Sequence, residues 1–407
     1  MRERTKIVVA VVVLALAVGL PTIRGGFVGG DDHRLVLNHA LVNHPSLDHA
    51  VKLFTTTHRD LYQPVPLLTF QIEFAVAQAL DLFSGGVQRG AWLFHLDNAI
   101  LHAVNAVLVF LLILRLHERA GASEGRGVSA TAEAGGDLTP PGFVEMGEIA
   151  RAQARGSGTN GNGGERGRSC TRVSLMVAAT AAVLFAVHPF QIEVIAWVNG
   201  RMMLLSTLFA LASLLVFMRW LERPRVSLLA LTFLFVVLCG LSKVRVSLPV
   251  LFLIAALARR VRLDRRFWGV LLAVGLITAA FVLINVKSTA EAKLFAEGAE
   301  HLRGPRLVRV LMALAFYFRH VVWPAGLCSY YPTPPVVSWN DAGLLWDALT
   351  VMAALAVLGW IAWKTAVGRY GTAWFFSALA VTLPFFPARN ILAADRYMYL
   401  PIIGLFW

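Results

Sequence analysis

Apolar runs of about 20 residues recur along this chain, each long enough to cross the hydrocarbon core of a bilayer as a helix. The pattern predicts spans at about 7–23, 93–114, 173–187, 202–218, 226–241, 246–258, 267–286, 343–363 and 372–388. A further apolar run ends at Trp407. A helix satisfies its own backbone in lipid, so the expected fold class is all-α. We read a polytopic membrane protein, a bundle of roughly ten spanning helices with a large first extracytoplasmic loop.

The cations between the runs orient this scaffold. Arg2, Arg4 and Lys6 precede the first run, and no small-residue cleavage site follows it, which predicts an uncleaved anchor with a cytoplasmic N-terminus. Residues 24–92 then lie outside, with Pro64 to Phe83 expected as a helix in the interface because Gln71, Glu73, Gln78 and Asp81 interrupt it. Residues 115–172, rich in Gly, Ala, Ser and Arg, are expected to form a flexible cytoplasmic loop. Arg219–Arg225 and Arg259–Arg266 mark further cytoplasmic turns, placing His188–Arg201 and Ser242–Arg245 outside. Residues 307–327 are read as re-entrant or surface-lying, because a span there would put Lys364 and Arg369 outside. The chain thus divides into 1–114, the loop 115–172, and the remaining bundle 173–407.

Composition agrees and narrows the classes. The chain is 57% hydrophobic and 15% charged, more apolar than a soluble fold needs. Its net charge of +13 could suit a nucleic acid. The arginines are dispersed between apolar runs, however, so they read as topology signals, and no nucleic-acid partner is expected. Cys170, Cys239 and Cys328 lie far apart, without metal spacing or a disulfide framework. Gly-rich residues 156–164 lack a Walker lysine and a flanking strand, which excludes a phosphate loop.

Parity gathers a polar set on the outer face: Asp31, Asp32, Glu193, Arg201, Lys243, Tyr330, Tyr331, Asp395 and Arg396. Acids that activate a hydroxyl, with cations that hold an anionic leaving group, suit transfer from a lipid phosphate. Asp31 and Asp32 follow Gly29 and Gly30, whose freedom lets the backbone turn tightly at the exit of the first span. In the second predicted helix His95, Asn98, His102 and Asn105 form one stripe, with Asp97 beside it. That stripe reads either as a cavity wall or as interhelical hydrogen bonding.

Four stretches carry a resemblance: Phe27 to Asp32; Leu61 to Phe70, continuing to Phe94–Asn105; His188 to Arg201, followed by Leu241-Ser242-Lys243; and Ala394 to Pro401. In this order the chain resembles the transmembrane region of the transmembrane-and-TPR protein O-mannosyltransferases, within the C-type glycosyltransferase superfamily. The resemblance implies a GT-C-like bundle, a polyprenyl- or dolichyl-phosphate sugar donor, and transfer, mannose included, to a hydroxyl of a protein Ser or Thr or of a glycan. It implies Asp31 or Asp32 as the base. Arg201, Lys243 and Arg396 are expected at the donor phosphate, with Glu193, His95, His102, Tyr331 and Asp395 in support or on the acceptor side. No cofactor is required, and whether a divalent metal shares the acidic pair stays open.

The chain departs from that family at Gln63, where an Arg is usual, and at Val244, where a Glu is usual. The TPR repeats are absent, so we expect a fragment or a member that recognises its acceptor otherwise. The alternative class is a transporter or flippase of a lipid-linked or anionic solute, whose mark would be paired halves with matching broken helices. Arginine far outnumbers lysine, which suggests a GC-rich genome and favours a bacterial inner membrane over an endoplasmic reticulum.

Overall fold

A computed structural model of the chain describes residues 2–57, 61–133, 162–291, 304–385 and 391–407. Its helices in order are α1 Arg2–Gly19, α2 Ala40–Asn43, α3 Leu47–Thr55, α4 Pro64–Ala79, α5 Ala91–Glu133, α6 Asn162–Val187, α7 Ile192–Ala196 and α8 Arg201–Glu222. They continue with α9 Val226–Ser242, α10 Leu248–Ala258, α11 Arg265–Glu291, α12 Arg306–Val322, α13 Leu344–Lys364, α14 Ala366–Leu379 and α15 Ile402–Phe406. Two short strands, β1 Tyr331–Pro332 and β2 Ile391–Ala393, pair antiparallel with Tyr331 opposite Ala393.

The all-α expectation holds. By length and composition, five helices of the described residues could cross a membrane, or six if the bent pair Arg172–Val187 and Pro189–Ala196 is one span. The expected count of about ten is therefore not reached on this measure. The apolar helices Val226–Ser242 and Leu248–Ala258 fall short in length. Arg306–Val322 is not among the candidates either; it carries Arg309 and Arg319 and buries one face, from Val308 to Phe318. Of the expected loop 115–172, α5 and α6 take up the two ends, to Glu133 and from Asn162. Residues 134–161 lie outside the described residues.

α5 is the central element, packed against α1, α6 and α8. Its polar stripe is wholly buried and bonds across to its neighbours. Asn98 Nδ2 donates to the carbonyls of Ile195 and Trp197 at 3.2 and 3.0 Å. His102 bonds the Tyr399 hydroxyl at 2.9 Å and the Ala186 carbonyl at 3.0 Å. Asn105 Nδ2 donates to the Leu204 carbonyl at 3.0 Å. Interhelical bonding, one of the two readings of the stripe, therefore accounts for these three residues.

α4 begins on Pro64, whose missing N–H costs nothing at a first turn. It is more buried than an interfacial helix would be. Gln71 and Glu73, which the sequence suggests lie at the interface, point inward: Gln71 bonds the Leu41 carbonyl at 2.7 Å, and Glu73 meets Arg201. A second apolar cluster of Phe27, Leu35, Val36, Phe70, Phe74 and Phe94 sits beside them. Its rings meet edge to face, Phe27 and Phe94 at 5.1 Å and Phe74 and Phe94 at 5.5 Å.

Candidate active site

The Phe27–Asp32 turn is fixed from both ends by that cluster, with Phe27 before it and Leu35 and Val36 after it. Between them Gly30 takes φ +84, a left-handed conformation that only glycine adopts without strain. The turn presents two different carboxylates. Asp32 is fully buried: its Oδ2 accepts the Val28 N–H at 3.0 Å and its Oδ1 the Asn199 N–H at 3.0 Å. Burial pushes Asp32 up to about 6, against the pull of those two N–H groups. Asp31 is half-exposed.

Asn199 belongs to the segment His188–Arg201, so Asp32 clamps the Phe27–Asp32 turn to it. The segment folds tightly on itself. A Cβ at Gly200 would lie 2.2 Å from the Val194 carbonyl oxygen, which excludes any larger residue there. On the same segment Glu193 binds Arg396, accepting its backbone N–H at 2.7 Å and its Nη1. The Arg396 guanidinium also lies over the Trp197 ring at 5.3 Å and donates to the Ser329 carbonyl at 3.1 Å. Asp395 is buried, and the Tyr331 hydroxyl donates to it. Burial, with the Glu193 charge nearby, raises Asp395 to about 7, and its Oδ1 has no protein partner. Gln191, fully buried on the same segment, has neither amide atom partnered.

Lys243 follows α9, within electrostatic reach of Glu193 and 3.9 Å from the Met202 sulfur. It shares a cavity of about 280 Å³ with Arg245 and Tyr397. Arg245, which the expected site omits, is held by Ser206 Oγ at 3.0 Å, Thr207 Oγ1 at 3.1 Å and the Met203 carbonyl at 3.3 Å. Among the described residues no carboxylate pairs with it. A signal for it did exist in the sequence: it is a second cation on the turn Ser242–Arg245, which is expected outside, where the topology rule gives no reason for one.

Arg201 is placed differently from the phosphate role expected of it. It is fully buried and all five N–H donors have protein acceptors. Nε donates to Asn98 Oδ1 at 2.5 Å, and Nη1 to Glu73 Oε2 at 3.0 Å and Thr69 Oγ1 at 3.2 Å. Nη2 donates to Glu73 Oε1 and the Phe94 carbonyl, both at 2.9 Å. Asp97, with its side chain 39% exposed, adds a second acid 2.9 Å from Nη1. His95 bonds the Gly26 carbonyl at 3.3 Å, holding α5 to the start of the acidic turn. His102 lies deeper, with both nitrogens engaged, one by the Tyr399 hydroxyl and one by the Ala186 carbonyl. Among the described residues no three His, Cys, Asp or Glu side chains converge as metal ligands.

Fold and site together define a multi-pass helical membrane protein with carboxylates, cations and tyrosines gathered at one end of the bundle. No family model matches the chain, and no solved structure matches it. It is similar to the protein O-mannosyl-transferase F38B6.6 of Caenorhabditis elegans, with 26% identity over 240 residues, 56% of this chain and 33% of that protein. The match thus covers about a third of the relative's length. This likeness and the apolar helices are consistent with a membrane glycosyltransferase.

Proposed function

We propose that the chain is an integral membrane glycosyltransferase that moves a sugar, mannose by likeness to the relative, from a polyprenyl or dolichyl phosphate to a hydroxyl, of protein Ser or Thr. The chemistry takes place on the extracytoplasmic side of a bacterial inner membrane, a setting that the arginine-rich composition favours. One observation carries the reading: Asp32 ties the acidic turn to the segment that holds Glu193 and Arg396, so acid and cations share one end of the bundle.

Within that site the two acids divide the work. A base must reach the acceptor hydroxyl. Asp31 has that access, whereas both oxygens of Asp32 are occupied by backbone N–H groups. Asp31 takes the hydroxyl proton as the acceptor oxygen attacks the sugar C1. The C1–O bond to the phosphate breaks, its electron pair leaves with the phosphate, and the anomeric configuration inverts. Lys243 and Arg245, on one cavity, and Arg396 beside it stabilise the charge that grows on the departing phosphate. Arg201 and His95 are positioning residues, and Asp395 and Tyr331 stand on the acceptor side.

The test is turnover with a radiolabelled lipid-phosphate sugar in proteoliposomes, reading both glycosylated acceptor and free lipid phosphate. Asp31→Asn should abolish both products with donor affinity retained. Arg245→Gln should weaken donor affinity and turnover together. Movement of intact donor across the bilayer without release of lipid phosphate would replace the transferase reading with a transporter.

A further inference from the structure

A second charged cavity lies at the opposite end of the bundle. α8 starts at Arg201 in the candidate site and ends at Glu222, and 22 residues at 1.5 Å each carry it about 33 Å. That is about the thickness of a hydrocarbon core, so Glu222 emerges at the other headgroup layer. There α5 at Arg115, the end of α8 and the start of α9 enclose a cavity of about 380 Å³, lined by Arg115, Arg219, Arg223, Arg225, Glu222 and Ser227.

The acid in this set does not neutralise it. Glu222 binds Arg259, a fifth arginine whose side chain is 2% exposed, and which also donates to the Arg115 carbonyl at 2.9 Å. Among the described residues no carboxylate pairs with the side chains of Arg115, Arg219, Arg223 or Arg225. Four guanidinium groups around one cavity repel each other and gain from an anion that several can fork onto at once.

An apolar lane leads away from the cavity toward mid-membrane. Val226, Ala230 and Leu234 lie four residues apart on one exposed face of α9, with Val226 85% and Leu234 51% exposed. The ligand that fits both features has a phosphate at headgroup depth and acyl chains beside it. A basic pocket between spans on the arginine-rich side is the geometry in which anionic headgroups are held. We infer that this cavity binds the phosphate of an anionic phospholipid, independently of the donor site about 33 Å away.

General attraction of an arginine-rich face to an anionic bilayer is the rival explanation, and a charge-matched control separates the two. Full-length protein in neutral detergent is titrated with phosphatidylglycerol or phosphatidylcholine, and retained lipid is read by native mass spectrometry. Wild type should keep phosphatidylglycerol and release phosphatidylcholine. Combining Arg219→Gln, Arg223→Gln and Arg225→Gln should weaken retention about a hundredfold, at about fivefold per charge. Combining Arg262→Gln, Arg265→Gln and Arg266→Gln, the same loss of charge on a neighbouring turn, should leave retention within threefold.

Ser227→Glu guards against a misfolded triple variant. It puts an acid into the cavity at the first turn of α9, where a negative charge favours the helix. It should release the lipid while the melting temperature holds. Equal losses in the two triple variants, or retention in Ser227→Glu, would overturn the site. Displacement of the lipid by millimolar inorganic or glycerol phosphate would also overturn it, by showing that a soluble phosphate is the occupant.

Discussion

Arg201→Met separates a structural brace from a donor contact. The substitution removes all five N–H donors and leaves Glu73, whose side chain is 9% exposed, buried beside Asp97 with no cation. Stranding one partner of a buried ion pair costs about 3 to 5 kcal/mol. At about 2.1 cal/mol/K per residue, cooperative unfolding of a chain this size would lose about 4 to 6 °C in melting temperature. Adding Glu73→Met removes the stranded charge and fills its place with apolar volume. Asp97 has access to water and needs no replacement partner. The double variant should therefore recover to within about 1 to 2 kcal/mol of wild type. Melting followed by tryptophan fluorescence, beside donor titration on the same samples, provides the assay. If Arg201 is a brace, the double variant regains donor affinity along with stability. A stable double variant that no longer binds donor would refute this and return Arg201 to the phosphate.

Three further outcomes are expected. Asp32 has its folded value raised from the usual 3.8 to about 6, so the fold favours the protonated acid. Its contribution is fully present below pH 4 and is lost as pH rises to 6, a swing of about 3 kcal/mol. Asp32→Asn should flatten that part of the stability profile, and an unchanged slope between pH 4 and 6 would contradict the buried clamp. Single cysteines at Leu47 and Ser227, both exposed, should react with an impermeant thiol reagent from opposite sides once Cys170, Cys239 and Cys328 are replaced by Ser; labelling from one side would undo the topology. Glu193→Gln should loosen Arg396 and lower turnover at least tenfold, since the pair joins the His188–Arg201 segment to the C-terminal loop. Activity within twofold of wild type would remove that pair from the mechanism.

What the chain determines by itself is set by period and side. Runs such as Leu93–Leu114 announced helices, because backbone in lipid has no other partner than itself. Arginine placement put Asp31, Asp32, Glu193, Lys243 and Asp395 on one face, and the structure does bring Glu193, Asp395 and Arg396 together through contacts about 200 residues apart in sequence. Pairing within that set was not legible. Glu73 reads from the sequence as one of the polar residues of a helix lying in the interface, yet it meets Arg201 across 128 positions. A salt bridge depends on which helix faces which, and neither hydropathy nor charge order contains that information. The same holds for the two aspartates, adjacent in sequence but of unlike exposure. Val28 and Asn199 must both present N–H groups to one carboxylate before Asp32 is buried and Asp31 is left facing outward, and the meeting of those two loops is a property of the packed bundle.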